Sequence, residues 1–408
     1  MKKLLFLPVV LGIALIFGVF SFSISSFAAP NALPDQALSN MPVCPPGPNN
    51  TDVRCHARVV VDKGGKPQTT SNPAAYGPVQ LRTAYNLNGT NSSGKILAIV
   101  DAYDDPTIEN DLNSYNSQYN LGLFPTCTPD IVSSGVPCFQ KVDQNGGSNY
   151  PSVNSGWALE ISLDVEVAHA VCPDCKILLV EANSNSFSDL AVAEDRAYQM
   201  GAAVISNSYG GGEFSSESSY DSHYNHPGVA ITFSSGDNGY GTSYPAASQY
   251  VTAVGGTSLY LNTDNTWNSE SVWSGTGSGC SKYESKPSFQ HDSGCSHRTI
   301  GDVAADADPN TGAAVYDTTP YNGQTGWFKV GGTSLSSPIV AAVYALKGVT
   351  PGSYANSLPY ANGNLLTLHD ITSGKNGRCS RSTPYLCTAE VGYDGPTGLG
   401  TPNGIDAF

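Results

Sequence analysis

A serine follows a pair of glycines at the predicted start of an apolar helix. The run is Gly331-Gly332-Thr333-Ser334-Leu335-Ser336-Ser337-Pro338, and the helix is predicted over 333–346. The glycines permit a tight turn, and the amide groups and dipole at a helix N-terminus favour negative charge that develops nearby. A serine nucleophile needs such surroundings. The same pattern is also typical of a Ser/Thr cap on a core helix, so Ser334 is a candidate only.

A second copy of the tetrapeptide limits what the motif alone can show. Gly255-Gly256-Thr257-Ser258 follows a predicted strand over 251–254 and has no proline four residues after the serine. Pro338 lies in the early part of its helix, where proline is best tolerated. We therefore interpret Ser258 as structural and keep Ser334 as the candidate nucleophile.

Two carboxylates lie four residues apart in a helix predicted over 156–171. Glu160 and Asp164 share one helix face, beside an apolar stripe of Leu159, Leu163 and Val167. Acids held close together repel and split their pKa values, so that one can act as a base while the other orients it. The alternative is a solvated acidic face, which the spacing alone favours.

A third acid lies where a predicted strand runs into a turn. The strand covers 229–233, and Ser234-Ser235-Gly236-Asp237 follows it. The carboxyl ends of strands carry the sites of α/β proteins, and a protonated Asp237 there could donate a hydrogen bond to an oxyanion. A plain turn residue is the alternative.

These side chains can act together only if the helices and strands that carry them end close to one another. From residue 78 onward, strand patterns alternate with helix patterns. Strands are predicted over 95–100, 176–180, 203–206, 229–233 and 251–254, and helices over 156–171, 190–200 and 333–346. This order predicts a single α/β domain over 78–408, with a parallel central sheet and helices on both faces. Residues 262–330 are rich in turns and are expected to decorate that domain.

The composition excludes several classes of protein. The chain has 19 basic and 34 acidic residues, a net charge of −15, and a charged fraction of 13% against roughly 25% in an average soluble protein. Such a chain lacks the clustered Lys and Arg that a nucleic-acid partner or a polybasic membrane surface protein requires. Its apolar fraction of 40% is enough for a core.

The N-terminal region predicts export. Residues 1–29 have the basic start, apolar run and small-residue end of a cleaved signal peptide; an uncleaved anchor is the alternative, because the apolar run is nearly long enough to span a bilayer. Residues 30–77 are rich in Pro, Asn and Gly and predict a loosely ordered extension, clipped by Cys44 and Cys55.

Ten cysteines fall as neighbours in the sequence, which favours five short-range disulfides in an oxidising compartment. The pairs would be Cys44/Cys55, Cys127/Cys138, Cys172/Cys175, Cys280/Cys295 and Cys379/Cys387. Cys172 and Cys175 could instead form a redox or zinc motif. A zinc site would need a second such pair, and a redox motif a thioredoxin-like setting.

Taken together, the segments resemble the sedolisins, the serine-carboxyl peptidases built on a subtilisin-like fold. The residues that carry the resemblance are Gly332-Thr333-Ser334 with Pro338, Glu160 with Asp164, Ser235-Gly236-Asp237, Val204 to Gly210, and Ile99-Val100-Asp101. The resemblance covers 78–408, and three separated motifs in one order are more specific than any single motif.

The resemblance implies roles for the site residues. Ser334 would be the nucleophile, Glu160 the general base, Asp164 its orienting partner and Asp237 the oxyanion donor. Asp101 would extend the chain of hydrogen bonds. Tyr209 stands where family members often have Trp.

The C-terminal region implies a structural calcium ion. By resemblance, the carboxylates of Asp370 and Asp394 and the main-chain oxygens of Ile371, Glu390 and Gly392 would bind one Ca²⁺. These are the hard oxygen ligands that calcium prefers. A cluster of Asx turns is the alternative.

The expected protein is therefore a secreted, monomeric endopeptidase that acts on proteins or peptides at acid pH, without stable membrane association. A non-catalytic binding protein on the same fold is the alternative, because Tyr209 departs from the family pattern. The stretch before Leu81 is also too short for the large folded propeptide that sedolisins usually carry. A histidine base of the ordinary subtilisin kind would require one of the seven histidines, His169 first, to reach Ser334.

Overall fold

The computed structural model describes residues 38–45, 53–92, 94–349 and 352–408. The predicted signal peptide lies outside these residues. In the part of the chain that the structure describes, no helix has the length and apolar character needed to cross a bilayer.

The described residues form the three predicted helices, over 156–171, 190–200 and 333–346, with small shifts at their ends, and three further ones. The α-helices are α1 Pro78–Ala84, α2 Ile108–Tyr119, α3 Ser155–Val171, α4 Phe187–Gln199, α5 Thr333–Lys347 and α6 Leu358–Asn362. Short 3₁₀ helices cover Glu217–His223, Ala355–Ser357 and Pro384–Leu386.

The strands outnumber those predicted. They are β1 Asn40–Pro42, β2 Arg54–Cys55, β3 Arg58–Val60, β4 Thr69–Thr70, β5 Ile96–Ala102, β6 Phe139–Asp143, β7 Lys176–Ala182, β8 Val204–Asn207, β9 Tyr209–Gly210, β10 Ala230–Ser234, β11 Thr252–Leu261, β12 Trp267–Val272, β13 Gly279–Ser285, β14 His297–Ile300, β15 Val303–Asp306, β16 Ala313–Tyr321, β17 Gln324–Gly331, β18 Leu368–His369 and β19 Thr401–Pro402.

A mostly parallel sheet forms the centre of the fold, as the sequence predicts. Its order is β12-β11-β10-β8-β5-β7-β6, with β15 also paired to β11, and only the β11–β12 pairing is antiparallel. All seven residues of β5 are buried, because helices cover an apolar strand that cannot face water. Helices α3 and α5 pack on each other, while α4 packs on β5 and β7.

A second, antiparallel sheet is built from both ends of the chain, with the order β1-β3-β17-β16 and β4 paired to β17. The described part of 30–77 is therefore not the loosely ordered extension that its composition predicts. Val59 in β3 is completely buried and pairs with Val330 in β17. Residues 262–330 likewise contribute strands to both sheets, so they are more than decoration.

The five predicted disulfides are all present. Cys44–Cys55, Cys127–Cys138, Cys172–Cys175, Cys280–Cys295 and Cys379–Cys387 are bonded and account for all ten cysteines. The Cys172–Cys175 pair is a disulfide, which removes the zinc interpretation. Each bridge closes a loop of at most 15 residues of sequence separation.

Candidate active site

Helix α3 carries the two predicted carboxylates through the interior. The Asn154 side chain caps it by accepting hydrogen bonds from the amides of Gly156 (3.1 Å) and Trp157 (3.2 Å). Every residue from Gly156 to Val171 is buried, and Glu160 and Asp164 are both 0% exposed. The solvated acidic face that the spacing favoured is therefore wrong, since apolar residues all around a helix bury its polar ones as well.

Ser334 lies in the first turn of α5, directly after the glycine pair. Gly332 precedes the helix with φ of 95°, a conformation that glycine adopts without strain. The Ser334 side chain is fully buried, and its Oγ donates a hydrogen bond of 3.2 Å to the Ser208 carbonyl oxygen. The hydroxyl is thus close to the end of β8 and lies in the first turn of α5.

Asp237 is held beside the start of α5 by Thr333. Its Oδ1 accepts hydrogen bonds from the Thr333 amide (2.8 Å) and hydroxyl (2.9 Å), while its buried Oδ2 has no partner among the described residues. Burial raises the pKa of Asp237 to about 7, although Thr333 and the nearby Arg58 and Arg54 lower it. The unpaired oxygen therefore belongs to a carboxyl group that is protonated in acid and can donate a hydrogen bond.

Glu160 is a carboxylate that interacts with the serine. Burial raises its pKa well above the usual range, and repulsion by Asp164 and Asp101 adds to this, while a hydrogen bond to Ser334 opposes it. Neither carboxyl oxygen of Glu160 makes a hydrogen bond of ordinary geometry. The structure thus brings Glu160, Asp164 and Ser334 together in a dry interior, where a carboxyl group keeps its proton more readily than in water.

The acidic group extends further than the sequence indicates. Asp101, at the end of β5, has a raised pKa because of burial and the neighbouring Asp164 and Glu181. Glu181 lies opposite Asp101 in the β5–β7 register, and its Oε1 lies 3.4 Å from Lys141 Nζ. Lys141 is the cation at the far end of this row of buried acids. A glutamate at the end of a predicted parallel strand was the available signal for Glu181.

The other residues considered have different surroundings. The Tyr209 hydroxyl donates to Asn207 Oδ1 (2.8 Å), and its ring packs edge-on against Phe233. The His169 ring packs on Phe124 at 4.0 Å, and its pKa is lowered to about 3 by burial. Among the described residues, no hydrogen bond joins a histidine ring to Ser334, so the arrangement offers a carboxylate as the base.

The predicted calcium residues converge in the C-terminal loops. Both carboxyl oxygens of Asp370 accept from the Gly392 amide (3.1 and 3.0 Å), and Asp394 Oδ2 accepts from the Glu390 amide (3.1 Å). Ile371 is buried next to Asp370. Two carboxylates, the oxygen donors that calcium prefers, thus lie near each other on two loops.

One set of residues beside the serine was missed by the sequence interpretation. Arg54, Cys55 and His56 lie in the predicted extension, yet β2 pairs with β9 and His56 is only 3% exposed. The His56 ring bonds to the Ser234 hydroxyl through Nδ1 (2.7 Å). The short valine run at 59–61 and the flanking disulfide were the only signals of structure there.

Comparison with known proteins agrees with this arrangement. A mostly parallel sheet with a serine at a buried helix N-terminus is typical of the subtilisin-like fold, and a model of the subtilase family matches residues 154–357, half of the chain. Among solved structures, Pseudomonas sedolisin, a serine-carboxyl proteinase complexed with two molecules of pseudo-iodotyrostatin, is similar with a TM-score of 0.66. The two are 26% identical, and the match covers 82% of this chain and 96% of that chain.

Curated relatives point the same way. Kumamolisin from Bacillus sp. (strain MN-32) is 30% identical over 377 residues, which are 82% of this chain and 63% of kumamolisin. Sedolisin from Pseudomonas sp. (strain 101) is 34% identical over 208 residues, 43% of this chain and 33% of that protein. The chain belongs to the subtilase family, and within it these sedolisin-type proteins are what it is similar to. It spans less than two thirds of the length of either relative.

Proposed function

We propose that this protein is a serine-carboxyl endopeptidase that hydrolyses peptide bonds in proteins or peptides at acid pH. The observation that carries the proposal is the convergence of Ser334, Glu160 and the unpaired Asp237 Oδ2 at the start of α5. These supply a nucleophile, a base and an oxyanion donor in one water-excluded place.

The mechanism follows from what each group can donate or accept. Glu160 takes the proton of Ser334, whose Oγ attacks the carbonyl carbon of the scissile bond. The Ser334 amide and protonated Asp237 stabilise the oxyanion that forms. Glu160 then gives its proton to the leaving amine, and water hydrolyses the acyl-enzyme. Asp164 and Asp101 repel Glu160 when they are charged, which favours a proton on this group of acids.

The preference for acid has two sources in this site. Asp237 donates only while it is protonated, and burial raises its pKa to about 7. Burial and mutual repulsion also raise the pKa of Glu160 and Asp164, so full ionisation of the group at higher pH would place uncompensated charges together in the interior. The active form is therefore a partly protonated one.

The proposal also includes a bound calcium ion, export from the cell and a monomeric state. One calcium ion would be held by Asp370 and Asp394 with the main-chain oxygens of Ile371, Glu390 and Gly392, where it would tie two loops together and take no part in catalysis. Export to an oxidising compartment is supported by the five disulfides. The protein would act there as a monomer.

The test is hydrolysis of a denatured protein over a range of pH, with covalent labelling of the nucleophile. An aldehyde or phosphonate directed at serine peptidases should label Ser334 at acid pH, as located by peptide mass spectrometry. Folded, calcium-loaded protein that is neither labelled nor active would instead indicate a non-catalytic binding protein. A flat or alkaline activity profile would contradict the carboxyl mechanism.

A further inference from the structure

A second group of buried acids is separate from the acids around Ser334. Asp105 follows β5, Asp111 is in the first turn of α2, and Asp317 lies in β16. One carboxylate oxygen of each lies within 4.8 Å of the other two, and the three residues are 0%, 1% and 0% exposed. An ion between these oxygens could contact all three at the distances that calcium takes to oxygen.

A fourth carboxyl group faces the three aspartates. Glu166 lies in α3 and is completely buried. Its Oε2 accepts a hydrogen bond from the amide of Tyr316 (2.9 Å), the residue before Asp317 in the chain. Burial raises the pKa of Glu166 well above the usual range, and repulsion by all three aspartates adds to this. We call the four residues the interior acid cluster: Asp105, Asp111, Glu166 and Asp317.

Two oxygens of the interior acid cluster have no partner among the described residues. Asp317 Oδ1 accepts from the Thr319 amide (2.7 Å), whereas its Oδ2 makes no hydrogen bond there. The same is true of Glu166 Oε1. Buried polar atoms almost always have a partner, so two unpaired oxygens on carboxyl groups that face each other indicate a ligand that binds both.

Threonine residues orient the other oxygens of the cluster. Asp105 Oδ1 accepts from the Thr107 amide and from the Thr319 hydroxyl, both at 3.0 Å. Asp111 Oδ2 accepts from the Thr107 hydroxyl at 2.6 Å and from the Thr318 amide at 2.9 Å. Carboxylates that bind a metal are usually held by hydrogen bonds of this kind, so these side chains are already fixed in the way that metal ligands require.

Among the described residues, no basic side chain forms an ion pair with the interior acid cluster. Lys141 donates to the Asp105 carbonyl oxygen (2.9 Å), but the carboxylates it contacts are those of Asp104 and Glu181. Buried carboxyl groups are either neutralised by a cation or protonated. Where no ion is bound, protons would take its place, because burial and repulsion by the other aspartates raise the pKa of Asp317 to about 9.

We propose that the interior acid cluster binds a second, structural calcium ion. Four carboxylates, each able to bind through one or both oxygens, can supply the roughly six to eight oxygen ligands that calcium takes. Magnesium usually keeps several of its waters, which suits an open site better than this dry one. The proposal does not depend on the peptidase function, because its residues take no part in the reaction.

The ion would join three elements that lie far apart in the sequence. It would tie α2 and β16 to α3, the helix that carries Glu160 and Asp164. Because the carboxylates of the cluster are at most 1% exposed, the ion can leave only when this part of the fold opens. Asp370 is half-buried and Glu390 is exposed, so a chelator reaches the C-terminal site in folded protein but not the interior one.

The experiment measures the metal that folded protein keeps in the presence of a chelator. The parent is the full chain with Ser334→Ala, which prevents digestion, and Asp370→Ala, which removes the C-terminal site. It is purified with calcium and dialysed against the chelator at about pH 8, where carboxylate ligands lose their protons to a bound metal. Elemental mass spectrometry then counts calcium, magnesium and manganese per chain. Asp317→Asn and Glu166→Gln are made in this parent, with Asp264→Asn at an exposed turn as the matched control, and circular dichroism establishes that each variant folds.

We expect about one calcium ion per chain in the parent and in Asp264→Asn, and at least ~10-fold less in Asp317→Asn and Glu166→Gln. Unfolding the parent in the chelator should release the ion, and this comparison decides whether the ion is enclosed if neither variant folds. Folded parent that keeps no metal would overturn the site, as would an unchanged calcium content in either folded variant. Magnesium or manganese in place of calcium would overturn the choice of ion. Every protein in the series lacks Ser334, so a negative result leaves the peptidase function standing.

Discussion

At the scale of single residues, two serines with the same local sequence have different neighbours. Ser334 lies beside Glu160 and Asp237, whereas the Ser258 hydroxyl donates to Asp308 Oδ2 at 2.7 Å. The tetrapeptide Gly-Gly-Thr-Ser does not decide which serine reacts. What distinguishes them is that only Ser334 begins a helix next to a buried base.

The first prediction compares these two serines. Ser334→Ala should lower kcat/KM on a denatured protein by at least ~10³-fold, since the nucleophile is lost and the rest of the triad cannot replace it. Ser258→Ala should keep activity near that of wild type. Initial rates at acid pH measure both, and substantial activity in Ser334→Ala would refute the assignment of the nucleophile.

The second prediction concerns Asp237. Its pKa is about 7 because of burial, so the hydrogen bond to the oxyanion is present below that pH and is lost as pH rises through it. Asp237→Ala should lower kcat/KM by ~10²-fold or more at acid pH. Asp237→Asn keeps an N–H donor at every pH. As pH rises from about 6 to 8, kcat/KM of this variant should therefore decline less than kcat/KM of wild type does.

The control for this series is Asp264→Asn, a change at an exposed turn. It should leave the pH profile of kcat/KM unchanged. If Asp237→Ala is fully active, or if the Asn variant follows the wild-type decline, another group provides the oxyanion donor.

Isolated positions could be predicted from the sequence where the local pattern was strong. Ser334 and Glu160 are in long apolar helices whose periodicity, start and length can be read locally. The i, i+4 spacing does not predict that Glu160 is buried, because two residues on one helix face can both be exposed to solvent or both be buried. Glu181 and Lys141 were missed since their relation to Asp101 depends on strand register across the sheet.

At the scale of elements, strands from distant parts of the chain were the hardest to predict. Strand β3 has three residues, too few for a clear alternation, and its partner β17 lies some 270 positions later in the sequence. The parallel strands β5 and β7 were predicted because a fully buried strand reads as a continuous apolar run. Strand β15 was hidden in a turn-rich region although it pairs with β11.

The third prediction concerns the C-terminal loops. With calcium bound at about 100 times its dissociation constant, the folded state gains about 2.7 kcal/mol. A chelator should therefore lower the melting temperature of Ser334→Ala by roughly 3–4 °C. Asp370→Ala should melt at the lower temperature with or without added calcium, and Asp264→Ala should behave like the parent. If neither calcium nor the chelator changes the melting temperature, the calcium site at Asp370 and Asp394 is excluded.

At the scale of the whole molecule, buried carboxyl groups dominate the response to pH. Burial raises the pKa of Glu181 and of Asp317 to about 9 and that of Glu284 to about 8. The folded protein holds protons that the unfolded chain releases near pH 4. These groups therefore favour folding in acid, and that contribution is lost as pH rises toward 9.

Buried histidines act in the opposite direction. Burial lowers the pKa of His56 and His169 to about 3. Between about pH 6.5 and pH 3, these histidines are therefore protonated in the unfolded chain and neutral in the folded protein. Their contribution to folding is lost as pH falls toward 3. The free energy of unfolding should thus be greatest in moderate acid, because the contribution of the carboxyl groups is lost at higher pH and that of the histidines at lower pH.

The fourth prediction follows from these signs. The melting temperature of Ser334→Ala should be higher at about pH 5 than at about pH 9, and should fall again near pH 3. The inactive variant prevents digestion during the scan, and calcium and ionic strength are kept constant. A melting temperature that rises steadily from pH 5 to pH 9 would contradict the protonated state of the buried carboxyl groups.

The pairing of β2 with β9 also has a consequence for how ligands can be studied. Because the segment that ends at His56 belongs to the same chain, it competes with any added ligand for the space beside Ser334 at an effective concentration in the millimolar range. A weakly bound ligand would therefore leave that space occupied by the chain itself, and dilution of the protein would not change the balance.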